Sequence, residues 1–415
     1  MTGYDCIILG GGASGLFAAS MIIKLTSGKA SVLVIDGNDR CGKKLALTGS
    51  GRCNLSNKNA TADKYHTDDP AALEKCLGSF GSSDAVAFFE DTLGVAVVSD
   101  DGLFYPATYK ASTVIDSFRF YLEESGCIFK LGSKCAKIFD KSGSYEVILE
   151  DGSNYKTRHL ICATGGCTYP STGSTGAIKT LLKGIVAQDD LVGFKPALTS
   201  LNSKMAGIKA LSGIRCRGKV ELTDGKTVTD SSEGEVIFSK EGGISGICVM
   251  DISGKAAAML DKGIKPYVIV DLLGAPSEEL YKMIEDRRLK FGTRNVPGAL
   301  TGLMPRVLCE FVCRYTGIDP ETKMSDLGDK ELKALTDSVC ALKIPVDGYG
   351  GADKAQVSSG GVKLSAVNGS MQYRSHKGLY IIGEALNVDG RCGGYNLQWA
   401  WSSAAAAAKG VASDV

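Results

Sequence analysis

The distribution of apolar positions at the start of the chain predicts a strand, a turn, a helix and a second strand. Residues 4–9 are predicted to form a buried strand with an apolar run at 6–9, and glycines follow it at once. Over residues 16–23, apolar side chains recur at the spacing of one helix face. A second apolar run, 31–35, ends at Asp36. This order predicts the beginning of a parallel α/β sheet.

The spacing of apolar residues also divides the rest of the chain into regions. Helices are predicted near 71–77, 83–93 and 111–125, short strands over 127–162, and a last helix over about 394–409. The intervening region carries strand-like runs at 219–223, 235–238 and 266–272 and helical runs at 277–290, 303–315 and 329–341. We therefore predict a discontinuous domain of residues 1–193 and 356–415, interrupted by an insert of residues 194–355 with a helical part at about 275–341.

Glycine content and charge refine this picture. Glycine accounts for 52 of the 415 residues and proline for only 10. An excess of glycine without proline indicates close backbone contacts and turns with positive φ, which favours a chain that wraps a large ligand. The charges nearly cancel, with 47 Lys and Arg against 46 Asp and Glu. This balance gives no electrostatic argument for binding nucleic acid or an anionic membrane.

The cysteines and histidines bear on compartment and metal content. The 14 cysteines are irregularly spaced, and the chain begins without a secretory signal, so we expect reduced thiols in a cytoplasmic protein. No apolar stretch approaches the roughly 18 residues of a membrane-spanning helix. Only three histidines occur, His66, His159 and His376, and no metal site is therefore expected.

A glycine fingerprint joins the first predicted strand to the first helix. Gly10, Gly12 and Gly15 fit the pattern G-x-G-x-x-G. In this context the first glycine permits a tight turn, the second lets the backbone contact a pyrophosphate, and the third lets the helix pack on the strand. Asp36 is placed to accept hydrogen bonds from an adenosine ribose. The alternative, a glycine turn that binds no ligand, is disfavoured by this strand, helix and acid context.

Three further segments distinguish FAD from NAD. The motif Ala163–Gly166 follows a later strand, and Gly383–Glu384 and 394–397 lie near the C-terminus. A ligand contacted by the beginning, middle and end of one domain must be long, and extended FAD satisfies this condition. We place its adenosine at Asp36, its ribityl chain at Glu384 and its ring at 394–397, where the dipole of the last helix would favour the anionic reduced ring.

Three segments resemble the bacterial BaiN-like family of FAD-dependent oxidoreductases, which includes aminoacetone-oxidase-type flavoproteins. The motifs that carry the resemblance are the N-terminal fingerprint, Gly42–Leu45, Thr48–Asn57, Ala163–Gly166, Tyr169–Pro170, Gly173–Gly176, Gly360–Val362, Gly383–Gly390 and Gly393–Trp401. The chain departs from the family at Asp36, where the family has Glu, after Gly176, and at Lys240–Glu241 in the insert.

The resemblance implies an α/β architecture in which a Rossmann-like FAD-binding domain is interrupted by a β-barrel-like insert with a small helical unit. The candidate cofactor-binding residues are Gly10, Gly12, Ala13, Ser14, Gly15, Asp36, Gly42, Lys43, Thr48, Gly49, Arg52, Cys53, Asn54, Cys135, Ala163, Thr164, Gly165, Gly383, Glu384, Asp389, Gly394, Tyr395, Asn396 and Leu397. Tyr395 is also the candidate proton donor. Cys53 and Cys392 are interpreted as packed thiols in preference to a redox pair, because the short spacing of redox cysteines is missing.

The resemblance implies flavin redox chemistry on a small-molecule substrate. The leading hypothesis is NAD(P)H-driven reduction of an activated carbon–carbon double bond in a steroid-like or bile-acid-like compound. The alternatives are an amine oxidase that forms hydrogen peroxide and a non-catalytic, flavin-binding regulatory protein. No second fingerprint follows a strand, so NADH or NADPH would dock transiently, or the electrons would come from the substrate itself. The sequence carries no signal for an oligomeric state.

Overall fold

A computed structural model describes residues 2–415, and these residues form two compact units. The first unit extends to Pro196 and resumes at Gln356, and the second comprises Ala197–Ala355. The helices are α1 (Ala13–Leu25), α2 (Pro70–Ser79), α3 (Ser82–Asp91), α4 (Ala111–Glu124), α5 (Ile178–Leu181), α6 (Ile247–Asp261), α7 (Ser277–Phe291), α8 (Val296–Leu300), α9 (Arg306–Thr316), α10 (Asp329–Cys340) and α11 (Tyr395–Ala412). None of these helices is long and apolar enough to cross a lipid bilayer.

The strands are short, and several occur as pairs outside the two main sheets. They are β1 (Thr2–Leu9), β2 (Val32–Ile35), β3 (Ser56–Asn57), β4 (Tyr65–Thr67), β5 (Val97–Asp100), β6 (Leu103–Pro106), β7 (Ile128–Lys130), β8 (Cys135–Asp140), β9 (Tyr145–Leu149), β10 (Asn154–Cys162), β11 (Leu191–Ala197), β12 (Leu201–Asn202), β13 (Arg215–Thr223), β14 (Val228–Phe238), β15 (Gly243–Ser245), β16 (Tyr267–Val270), β17 (Leu342–Pro345), β18 (Gly348–Tyr349), β19 (Val357–Val362), β20 (Leu379–Ile381) and β21 (Val388–Gly390).

The main sheet of the first unit confirms the predicted Rossmann-like α/β fold. Its strand order is β7-β2-β1-β10-β9-β8, and β20 pairs with the second half of β10. Strands β7, β2, β1, β10 and β20 are parallel. Leu9 lies opposite both Ile35 and Cys162, and Cys162 lies opposite Ile381. Lys130, the last residue of β7, lies opposite Ile35. Five strands therefore end at one edge of the sheet, where an α/β fold binds its ligand.

Helices α1 and α11 pack against each other beside this sheet. The α1 side chains from Ser14 to Ile23 are buried, so this helix lies in the core and not at the surface. The facing helix α11 contributes the alanine run 404–408, which is also buried. Because an alanine side chain is a single methyl group, the two helix backbones can approach closely.

The second unit combines a seven-stranded sheet with helices. The strand order is β17-β16-β13-β14-β15-β12-β18, and the described residues form no pairing between β17 and β18. The predicted barrel is therefore not confirmed. Helices α7, α9 and α10 occur where the apolar spacing predicts them, whereas α6 is missing from the predicted elements. The first turn of α6 is uniformly apolar and Gly254 lies at its middle, so local propensity is weak and packing against β14 decides its conformation.

Candidate active site

The glycine turn between β1 and α1 contains two kinds of glycine. A Cβ added at Gly10 would lie 2.3 Å from the Ala163 carbonyl oxygen, and one at Gly15 would lie 1.9 Å from the Gly10 carbonyl oxygen. Glycine is required at these two positions because a side chain would collide with the backbone. Gly12, in contrast, has no atom within 4 Å of an added Cβ, and no side chain caps α1. Uncapped helix N–H groups facing open space form a suitable site for a pyrophosphate.

Asp36 lies beside this turn, at the end of β2. Its Oδ2 accepts a hydrogen bond from the Gly11 N–H at 2.7 Å, and its Oδ1 accepts from the Asn38 N–H at 2.7 Å. The Ser133 N–H donates to the Asp36 carbonyl at 3.0 Å, which brings the start of β8 and hence Cys135 to the same end of the site. Burial raises the pKa of the Cys135 thiol to about 12, so the residue stays neutral.

Two buried hydroxyl groups near the second glycine motif have no hydrogen-bond partner in the described part of the chain. They are Thr164 Oγ1 and Ser174 Oγ. A Cβ added at Gly165 would lie 3.3 Å from Ser174 Oγ, so this hydroxyl faces the motif. Buried hydroxyls are normally hydrogen-bonded, and a polar ligand at the sheet edge would supply the missing bonds. These atoms and the open space at Gly12 fit the phosphate and ribose groups of FAD.

An ion pair at the centre of the site joins segments that are distant in sequence. Lys44 Nζ lies 2.6 Å from Glu384 Oε2 and donates to Thr168 Oγ1 at 2.8 Å. The other oxygen of Glu384 accepts from the Ser358 N–H at 2.6 Å. Glu384 was predicted to face the ribityl chain, whereas Lys44, Thr168 and Ser358 were not proposed as site residues. Their local patterns carry no signal, because the contacts are made only in the folded chain.

The start of α11 is attached to the loop that contains Asn54. With its amide oriented to satisfy its neighbours, Asn54 accepts from the Gly394 N–H at 3.1 Å. A Cβ on Gly394, where φ is +88°, would lie 2.6 Å from the Ser56 carbonyl oxygen. The Asn396 amide bonds to both the N–H and the carbonyl of Gly390, at 2.8 Å each. The structure therefore brings Asn54, Gly394 and Asn396 together, as a shared binding role requires.

Asp389 lies on β21, which pairs antiparallel with β4, and Tyr395 is the first residue of α11. Asp389 is buried, and its Oδ2 lies 3.0 Å from Nδ1 of His66, the residue opposite it on β4. Tyr395 is 9% exposed and packs edge-on against Tyr65, whose hydroxyl donates to the Tyr395 carbonyl at 2.9 Å. His66 was not among the site residues predicted from the sequence. The proton-donor role of Tyr395 stays a prediction.

Some of the predicted cofactor-binding residues make their contacts with residues other than those named above. Lys43 forms an ion pair with the exposed Asp39 at 2.7 Å, and the Arg52 guanidinium lies 5.3 Å from the Tyr105 ring centre. Thr48 Oγ1 donates to the Leu45 carbonyl at 2.7 Å. Cys53 is buried, and burial raises the pKa of its thiol to about 12, which suits a packed thiol better than a redox nucleophile.

The chain is similar to known proteins over nearly its full length. The family model described as HI0933-like protein Rossmann domain matches residues 4–410. A 3-dehydro-bile acid delta(4,6)-reductase from Clostridium scindens is 31% identical over 407 residues, which cover 98% of each chain. A ribosomal RNA dihydrouridine synthase from Escherichia coli is 26% identical over 99% of this chain and 98% of its own.

A solved structure of similar fold covers the whole chain. The 3-ketosteroid delta1-dehydrogenase from Sterolibacterium denitrificans superposes with a TM-score of 0.53 at 13% identity, and the match covers 100% of both chains. At this identity the similarity concerns the fold alone. The glycine turn and the sheet edge fit FAD, and the family model matches nearly the full length of the chain. The chain therefore belongs to the HI0933-like Rossmann-domain family and is an FAD-dependent oxidoreductase.

Proposed function

We propose that this protein reduces a carbon–carbon double bond conjugated to a carbonyl group in a small steroid-like or bile-acid-like molecule, with NADH or NADPH as electron donor. The observation that carries the proposal is the 31% identity to a bile-acid reductase over 98% of both chains. The name of the 26% identical relative also describes the reduction of a double bond next to a carbonyl, since dihydrouridine is uridine with a saturated ring bond.

Bound FAD would supply the exchange of two electrons as hydride. The fingerprint glycines and Asp36 would hold the pyrophosphate and adenosine, and Glu384, fixed by Lys44, would face the middle of the cofactor. The N–H groups at the start of α11 would face the ring, where the helix dipole stabilises negative charge. A developing charge on the substrate carbonyl also needs a hydrogen-bond donor nearby.

A ribosomal RNA substrate is the competing proposal, and the 26% identical relative is the observation that favours it. RNA binding depends strongly on neutralising phosphates with Lys and Arg. This chain carries 47 basic against 46 acidic residues, which gives no excess of positive charge for that purpose. A small substrate fits this balance better.

Anaerobic stopped-flow absorbance on the FAD-loaded protein tests the proposal. We expect NADH or NADPH to bleach the flavin, and a steroid with a 3-oxo-4-ene group to restore its colour. Ribosomal RNA and amines are tested in the same way as alternative substrates. The proposed function would be contradicted if RNA, and not the enone, restored the flavin colour. It would also be contradicted if an amine bleached the flavin and air restored its colour with formation of hydrogen peroxide.

A further inference from the structure

His66 and Asp389 form an isolated acid–base pair in the first unit. The two residues lie opposite each other in the pairing of β4 with β21, and His66 Nδ1 is 3.0 Å from Asp389 Oδ2. The Asp389 side chain is 8% exposed and that of His66 is 38% exposed. A buried carboxylate that accepts from Nδ1–H fixes the tautomer and the orientation of the ring. Nε2 is the ring nitrogen that does not contact Asp389, on a side chain that is more than one-third exposed.

The position of this pair connects it to the candidate cofactor site. Strand β21 is the segment between Glu384 and the start of α11, the two places predicted to face the ribityl chain and the ring. Gly390, which follows Asp389, is fixed by the Asn396 amide, and the Arg391 N–H donates to the Lys64 carbonyl at 3.0 Å. Strand β4 is therefore held against the segment that leads into α11.

Other titratable groups of the first unit are less suited to exchange a proton. His159 is 3% exposed, and burial lowers its pKa. His376 faces Asp140 on β8, at 3.6 Å, on the outermost strand of the main sheet. Burial raises the pKa of the Cys53 thiol to about 12. His66 combines a side chain accessible to solvent with a fixed carboxylate neighbour.

The geometry points to His66, in place of the predicted Tyr395, as the proton donor of the reduction, with Asp389 as its positioning residue. This inference rests on the proposed function. Bound FAD would supply a hydride to one carbon of the alkene, which would leave a negative charge shared with the conjugated carbonyl. The Nε2–H bond of the His66 imidazolium breaks, and its proton forms the second C–H bond. The ring is left neutral with Nδ1–H still bonded to Asp389, and solvent returns a proton to Nε2.

The variants His66→Gln and His66→Ala, studied as FAD-loaded proteins, test this role in the two half-reactions separately. We expect both to keep their FAD content and to be bleached by NADH or NADPH at the wild-type rate. Reoxidation by a 3-oxo-4-ene steroid should slow by about 100-fold or more, the usual contribution of a general acid. Added imidazole should restore part of the rate in His66→Ala. His376→Gln, which alters the other histidine–carboxylate pair, is the matched control and should behave as wild type.

A measurement independent of turnover tests the pairing. Two-bond ¹H–¹⁵N spectra distinguish the two neutral tautomers, and the chain has only three histidines to assign. We expect the Nδ1–H tautomer for His66 and its loss in Asp389→Ala. An Nε2–H tautomer in the wild type, or equal reoxidation rates in wild type and His66→Gln, would overturn the inference. Failure of the wild type itself to be reoxidised by any enone would instead count against the proposed function.

Discussion

At the scale of single residues, Gly12 separates cofactor binding from folding. No protein atom lies within 4 Å of the position of an added Cβ, so a side chain would enter open space. We expect Gly12→Val to fold with a loss of about 1 kcal/mol, since valine is a poorer N-cap than glycine. FAD should not be retained, because the side chain would occupy the pyrophosphate position. Absorbance near the flavin bands and a thermal melt measure both effects.

Gly78, on the exposed side of α2, provides the control for this prediction. It also has no atom within 4 Å of an added Cβ. Gly78→Ala should stabilise the helix by about 0.5–1 kcal/mol and leave FAD binding unchanged. If Gly12→Val purifies yellow with a full complement of FAD, the pyrophosphate has been assigned to the wrong turn.

Asp68 gives a prediction about pH. Burial would raise its pKa, but hydrogen bonds from Ser365, Asn387 and the Leu364 N–H together hold the pKa below its usual value. Because the pKa of Asp68 is lower in the folded state, its carboxylate stabilises the fold fully above the unfolded-state pKa of about 3.9. This stabilisation is lost as the pH falls through the folded-state pKa. Because Asp68 is exposed and solvent screens these interactions, Asp68→Ala should cost about 0.5–1 kcal/mol at pH 7.

The denaturant midpoint as a function of pH measures this effect. The stability difference between wild type and Asp68→Ala should shrink below about pH 4, where the unfolded carboxyl group takes up its proton. Glu74→Ala, which alters an exposed acid on α2, should show neither the loss at pH 7 nor its disappearance in acid. A difference that stays constant down to pH 2 would mean that Asp68 acts through packing alone.

At the scale of elements, the contact between α1 and α11 depends on small side chains. Ala405 is fully buried. We expect Ala405→Leu to destabilise the fold by about 1–3 kcal/mol, because extra methylene groups in a packed core force the helices apart. Ala71→Leu, at an exposed position of α2, should change stability by less than about 0.5 kcal/mol. Equal unfolding free energies for the two variants in denaturant would contradict close helix packing.

At the scale of the whole molecule, FAD contacts are predicted in the first unit only. Each unit has its own core of buried side chains. If the two units unfold separately in calorimetry, FAD at 100 times its dissociation constant should stabilise the first by about 2.7 kcal/mol and leave the second unchanged. Residues 197–355 form one continuous segment, and when expressed alone they should show the same second transition. An FAD-dependent shift of that isolated segment would place cofactor contacts in the insert.

The local sequence pattern determined the parts of this protein that depend on neighbours along the chain. The apolar run before Gly10, the helical spacing after Gly15 and the acid that ends β2 predict the fingerprint and its ligand class, because a strand, a turn and a helix in direct succession make their own contacts. The last helix was predicted over about 394–409 and occupies Tyr395–Ala412 for the same reason. Helix α6 was missed because packing, and not its own propensity, decides its conformation.

Only the tertiary structure decided which distant side chains meet at the site. Lys44 reaches Glu384, and His66 reaches Asp389, across 340 and 323 positions of the chain. Parallel strands bring their carboxyl ends to one edge whatever their separation in sequence, and the antiparallel pairing of β4 with β21 places His66 opposite Asp389. Local periodicity specifies the elements, whereas these ion pairs exist only once the sheet register and the helix packing are fixed.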